Sequence, residues 1–182
     1  MARWGPAEDR AFWREAARTS REFFQRTTNP VTGLAPEYAH FDGTPVTSSF
    51  NPRSGTFGPD AWRTAANWSV DWAWWGADPR ERGLSDRIQA FFDREGLATY
   101  GNRYTLDGTT RLDASHSTAL VATNAVASLA ATDPARARRF VDALWNAPIP
   151  SGQFRYYDGM WYLMGLLHCA GEFRIWTPAG GR

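Results

Sequence analysis

Apolar positions along this chain fall in helical registers, interrupted by polar loops of very unequal length. Pro6 followed by Ala7, Glu8 and Asp9 reads as a helix start, with acids where the positive end of the macrodipole favours them. Phe12, Ala16 and Phe23 continue it as an apolar stripe to about Arg26. A second helix is expected from about Asp60 to Trp75, and a third from about Arg82 to Arg94 with Ile88, Phe91 and Phe92 buried. Ser115 to Ala130 is rich in Ala, Leu and Val with little charge, the pattern of a buried helix. Asp133 before Pro134 is an N-cap followed by a first-turn proline, opening a fifth helix that ends near Trp145. A last apolar helix is expected from about Gly159 to Cys169. Residues 1–176 read as one domain and 177–182 as a frayed tail.

The connections carry as much information as the helices. Thr27 to Gly58 is a loop of Pro, Gly, Ser and Asn signals, long enough to be functional inside a compact domain. Its aromatic residues Tyr38, Phe41, Phe50 and Phe57 predict that it is packed. Gly96 to Ala114 is a second long loop, with Asp107-Gly108 as a turn and short strands around Tyr104. A third runs through Pro148, Pro150 and Gly152 to Tyr156, Tyr157 and Asp158. Long loops thus follow the first, third and fifth helices, and short ones the second and fourth. That alternation predicts an all-α fold of three helical hairpins with the functional loops gathered at one end, as in an α/α toroid.

Composition narrows the partners. The formal net charge is +1, which gives no reason to expect nucleic acid or an anionic membrane. The chain has no run of eighteen apolar residues, and Met1 to Pro6 lacks the apolar core of a signal peptide. The single cysteine, Cys169, sits in an apolar run and reads as a buried thiol; a cytoplasmic location is expected. The three histidines have no metal-ligand spacing, so neither a metal nor a cofactor is expected. Ten Trp, six Tyr and eleven Phe exceed what packing requires and lean towards a carbohydrate ligand, whose ring faces stack on aromatic side chains.

Candidate chemistry concentrates at the start of the second helix. Pro59 suits a first helical turn, which places Asp60 beside free backbone N–H groups and Arg63 one turn on, on the same face. The acid reads either as a helix-terminal carboxylate stabilised by the macrodipole or as a base aimed at a water. Trp62 and Asn67 extend the same face. His116 follows a long loop and is expected at the same end of the bundle. Tyr156 and Tyr157 read as loop packing or as a stacking platform, and Glu37 as a cleft carboxylate or a turn cap.

Taken together, Asn29–Ala39, Phe41–Thr44, Pro59–Asn67, Arg87–Phe92, Leu120–Asn124 and Arg155–Asp158 resemble glycoside hydrolase family 8, in order and over nearly the whole chain. The nearest likeness is to its reducing-end xylose-releasing exo-oligoxylanases. The resemblance implies an (α/α)6 barrel that hydrolyses β-1,4-linked sugars with inversion, without metal or cofactor. It implies Asp60 as general base, Arg63 as its companion in the cleft, His116 as a reader of the reducing-end xylose, and Tyr156 and Tyr157 as substrate-lining aromatics. Gly58-Pro59 departs from the family, which has an aromatic or small residue there. Six helices are about half of such a barrel. Inversion needs a second carboxyl roughly 6.5–9.5 Å from the base, and the family's general acid lies in the half preceding the region matched here. The expectations are therefore a xylo-oligosaccharide hydrolase lacking its acid or, alternatively, a non-catalytic remnant that binds oligosaccharide weakly or not at all. Either would expose half-barrel surface through which chains can associate.

Overall fold

A computed structural model describes residues 1–175, so the tail expected at 177–182 lies outside the described residues. Among these residues there are six α-helices and one two-stranded sheet: α1 (Arg10–Thr27), α2 (Trp62–Trp75), α3 (Arg80–Glu95), β1 (Arg103–Tyr104), β2 (Arg111–Asp113), α4 (Thr118–Val126), α5 (Pro134–Trp145) and α6 (Arg155–Cys169). The all-α class of three hairpins follows directly. Local chemistry sets several boundaries. Asp133 caps α5 by accepting from the Arg136 N–H at 3.0 Å, with Pro134 inside the first turn. Gly76 ends α2 in the left-handed region at φ 57°, its N–H returning to Trp72 O at 2.8 Å.

Helix α4 is the hub. Every residue from Ala119 to Val126 is buried, and the helix packs on α2, α5 and α6. Helices α2, α4 and α6 form one row, and α3 and α5 pair behind it; α1 leans on α2 and α3. Under the loops, Phe57, Phe91, Phe92, Tyr100 and Tyr104 extend the same buried core, with Phe92 and Tyr100 rings 4.7 Å apart. The Tyr104 hydroxyl accepts from Gly101 N at 2.7 Å and donates to Glu95 Oε2 at 3.0 Å, so its burial leaves no polar atom unmet.

Four expectations need correction. The regular part of α2 begins at Trp62, because Pro59 to Ala61 form a turn whose N–H groups at Ala61 and Trp62 both return to Gly58 O. The fourth helix is shorter than Ser115–Ala130: Ser117 caps it at Thr118, and a 3-10 turn over Ala127–Leu129 closes it. Tyr156, Tyr157 and Asp158 belong to the first turn of α6, not to the loop before it. The long loop is not packed by its aromatics, since only Phe57 is buried while Phe41 and Phe50 are 95% and 90% exposed. Backbone bonds hold the loop instead, with Glu37 N and Tyr38 N donating to Thr56 O and Ser54 O, and Phe57 paired to Tyr104 on β1.

Two edges of the helical rows remain uncovered. On α6, Tyr156, Met160 and Leu163 form an exposed stripe at helical spacing. The apolar stripe of α1 is also largely open, with Phe12 exposed and Thr27 the one buried residue of the helix.

Candidate active site

The N-terminal ends of α2, α4 and α6 are tied together by a closed set of hydrogen bonds. Trp62, at the start of α2, donates its indole N–H to Asn102 O at 3.0 Å. Asn102 in turn accepts on its side-chain Oδ1 from Ser117 N at 2.8 Å. Ser117 caps α4 through its Oγ and donates the same hydroxyl to Asp158 Oδ1 on α6 at 2.7 Å. Beside Asp158, the Tyr157 hydroxyl returns to the α2 turn by donating to Pro59 O at 2.7 Å. Three helix starts, with their positive dipole ends, therefore converge on one rim.

Asp60 stands on that rim. Its carboxylate does not cap α2; Oδ1 instead accepts from Arg63 Nη2 at 2.6 Å, while Arg63 Nε holds the Asp60 carbonyl at 3.1 Å. The two-point grip engages both the backbone and one oxygen of the acid. Both side chains are nearly half exposed. Tyr157 lies against Trp62 with ring centroids 6.1 Å apart. Burial pushes its phenol above the ordinary tyrosine range, opposed by the Arg63 charge and reinforced by Asp60, so it stays a donor at neutral pH.

His116 lies two residues before α4, exposed, with its ring 4.5 Å from that of Tyr100. Its Nδ1 is 2.8 Å from Tyr100 O. A carbonyl can only accept, so Nδ1 is the donor of this bond. Tyr156 is 80% exposed on the open stripe of α6 and is not drawn into the bonded rim. Asp60, Arg63 and Tyr157 thus come together, His116 joins the same end through Tyr100 and α4, and Tyr156 stands apart.

Two participants, Asn102 and Ser117, carried no sequence signal of their own, sitting in a loop and a cap whose composition marks only turns. Asp158 was visible only as the end of an aromatic loop, and its bond to Ser117 was not. Glu37 was visible as a candidate, yet its partner Arg103 was not; Glu37 Oε1 lies 3.0 Å from Arg103 Nη2, across 66 residues. Cys169 is packed against the core, and burial raises its thiol to about 11, which removes it from nucleophilic roles.

A carboxylate gripped by arginine, beside a partly buried tyrosine, stands at the common end of the paired helices of an α/α barrel-type fold. The family follows from the sequence: residues 5–171 match glycosyl hydrolases family 8, and the chain belongs to that family. It is 43% identical over 97% of its length to the reducing-end xylose-releasing exo-oligoxylanase Rex8A of Paenibacillus barcinonensis, covering 46% of that protein. More distantly, it is 26% identical to endoglucanase C of Ruminiclostridium cellulolyticum over 88% of this chain and 34% of that one. Among solved structures, a GH8 xylobiose complex from Teredinibacter turnerae superposes with a TM-score of 0.92 at 48% identity, over 97% of this chain and 44% of that one. The chain spans about half the length of the relatives it matches.

Proposed function

We propose that this chain carries the water-activating side of a xylo-oligosaccharide hydrolase site, releasing xylose from the reducing end of β-1,4-linked chains with inversion. The observation that supports it is the Asp60–Arg63 grip. Arg63 engages one oxygen of Asp60 and its carbonyl, so the second oxygen is held in place to accept a proton from a water attacking the anomeric carbon. Likeness to exo-oligoxylanases and to a xylobiose-bound relative supports xylose as the sugar. His116 reads a reducing-end hydroxyl, and Tyr157 lines the path of the chain, while Tyr156, outside the bonded rim, is not assigned a contact.

Inversion also needs a proton for the departing oxygen. Asp158, the other carboxylate on this rim, is engaged by Ser117 in joining α4 to α6, so it is not assigned that task. The acid belongs to the portion of the family fold that this chain does not match.

Xylose release from xylotriose tests the reading, using the 182-residue chain alone and mixed with the N-terminal half of a family 8 exo-oligoxylanase. Little release is expected from the chain alone, and clear release on mixing that disappears with Asp60→Asn. Release by the pure chain would overturn the missing acid. Release on mixing that survives Asp60→Asn would overturn the base. No release under either condition favours the remnant reading.

A further inference from the structure

Beneath the turn that carries Asp60 lies an ion pair that the proposed chemistry does not use. Glu37, on the long loop, has a side chain only 2% exposed, and Arg103, on β1, 12%. Glu37 Oε2 accepts from Asn51 Nδ2 at 2.8 Å, and Oε1 accepts from Arg103 Nη2 at 3.0 Å. The same Oε1 receives the backbone N–H of Asp60, a long bond at 3.4 Å. Arg103 Nη1 is spent on Thr56 Oγ1 at 3.1 Å and Arg53 O at 3.2 Å, on the strand of loop that runs into Phe57. Glu37 therefore bonds the Asp60 turn directly, and Arg103 ties the loop segment that leads into it.

Gly58 makes the approach possible. A Cβ there would stand 2.5 Å from Cζ of Arg103 and 2.6 Å from Glu37 Oε1, so any side chain must push the pair off the turn. Gly58 O also receives the N–H groups of both Ala61 and Trp62, which start α2. A buried ion pair is poor evidence for stability, since apolar residues of similar volume do as well or better. Its geometry here fits another role.

We propose that Glu37 and Arg103 are positioning residues for Asp60: the pair clamps the Gly58–Ala61 turn, and with Arg63 above it sets where the Asp60 carboxylate points. The role rests on Asp60 acting as the base. Without the clamp the carboxylate would still be present but misplaced, an error that costs rate more than binding.

Two variants remove the clamp by different routes. Glu37→Met with Arg103→Met takes away both charges together and leaves no orphan ion, and Gly58→Ala keeps both charges but wedges them apart. NMR exchange with water of the Asp60 amide and the Arg63 Nε–H reads the turn directly, with or without catalysis. Both signals should exchange about tenfold faster in each variant while the amides of Leu120 to Val126 in α4 keep their rates. In the xylotriose mixing assay, kcat should fall about 10- to 100-fold with KM within about twofold. Unchanged exchange at Asp60 and Arg63 in both variants would overturn the clamp. Faster exchange spread equally over α4 would also overturn it, by showing a merely structural pair. The exchange result stands even if Asp60→Asn shows that Asp60 is not the base, so the two failures are told apart.

Discussion

The hydroxyl of Tyr157 donates to the backbone carbonyl of Pro59 at 2.7 Å, joining the first turn of α6 to the turn before α2 across 98 residues of chain. Asp60 is the next residue, so the bond links two hairpins at the proposed base. Pro59 has no N–H to give, but its carbonyl is free to accept, and a mostly buried phenol meets it without an unmet polar atom. Tyr157→Phe should cost about 1 kcal/mol, seen as a melting point lower by roughly 2–4 °C. Hydrolysis should fall by more than the loss of folded protein explains, because the turn loses one of its holds.

Arg63 grips Asp60 at two points with two different nitrogens. Lysine keeps the charge but offers one compact ammonium that cannot hold both the carbonyl and Oδ1. Arg63→Lys is therefore expected to lower kcat about tenfold or more while thermal stability changes little, since the pair is substantially exposed. Steady-state kinetics beside a melting curve checks both halves of the statement.

Stability should depend on pH through Glu81. Its side chain is fully buried at the start of α3, and neither carboxyl oxygen has a partner within hydrogen-bonding geometry among the described residues. Burial first, and then the neighbouring Asp71 carboxylate, push its pKa from about 4.5 up to about 8. In this window the folded state holds a proton that the unfolded chain has released. Stability from this group is thus full below about pH 4.5 and is lost as pH rises towards 8. Glu81→Gln should flatten the rise of stability on going from pH 8 to pH 5 and be more stable than wild type at the upper end. Urea midpoints at the two pH values measure it.

The open stripe of Tyr156, Met160 and Leu163 on α6 is an apolar surface without cover among the described residues. Such a stripe favours association. Sedimentation velocity of the 182-residue chain should show species larger than a monomer. Met160→Lys with Leu163→Lys should shift the distribution to the monomer, and an unchanged distribution would place the association elsewhere.

Much of the architecture could be read from local chemistry. Asp133-Pro134 announced α5 because a capping carboxylate and a first-turn proline act within four residues of each other. The uncharged Ala, Leu and Val of α4 announced its burial, because no face of that helix can be left to water. Asp60, Arg63 and their common face were legible for the same reason, since three residues of helix spacing suffice to pair them.

The rest required the chain to close on itself. The exposed ends of Phe41 and Phe50, beside the buried Phe57, show that composition cannot say which loop aromatics find a partner. Nothing in the sequence couples Asn102 to Trp62, Ser117 to Asp158, Tyr157 to Pro59 or Glu37 to Arg103, because these bonds span turns, loops and whole hairpins and leave no periodic trace. Local chemistry along the chain revealed the helices, the family, the residue to suspect and its arginine. Closure of the chain supplied the other holds on that residue, a tyrosine from α6 and a buried ion pair, because those partners are far apart in sequence.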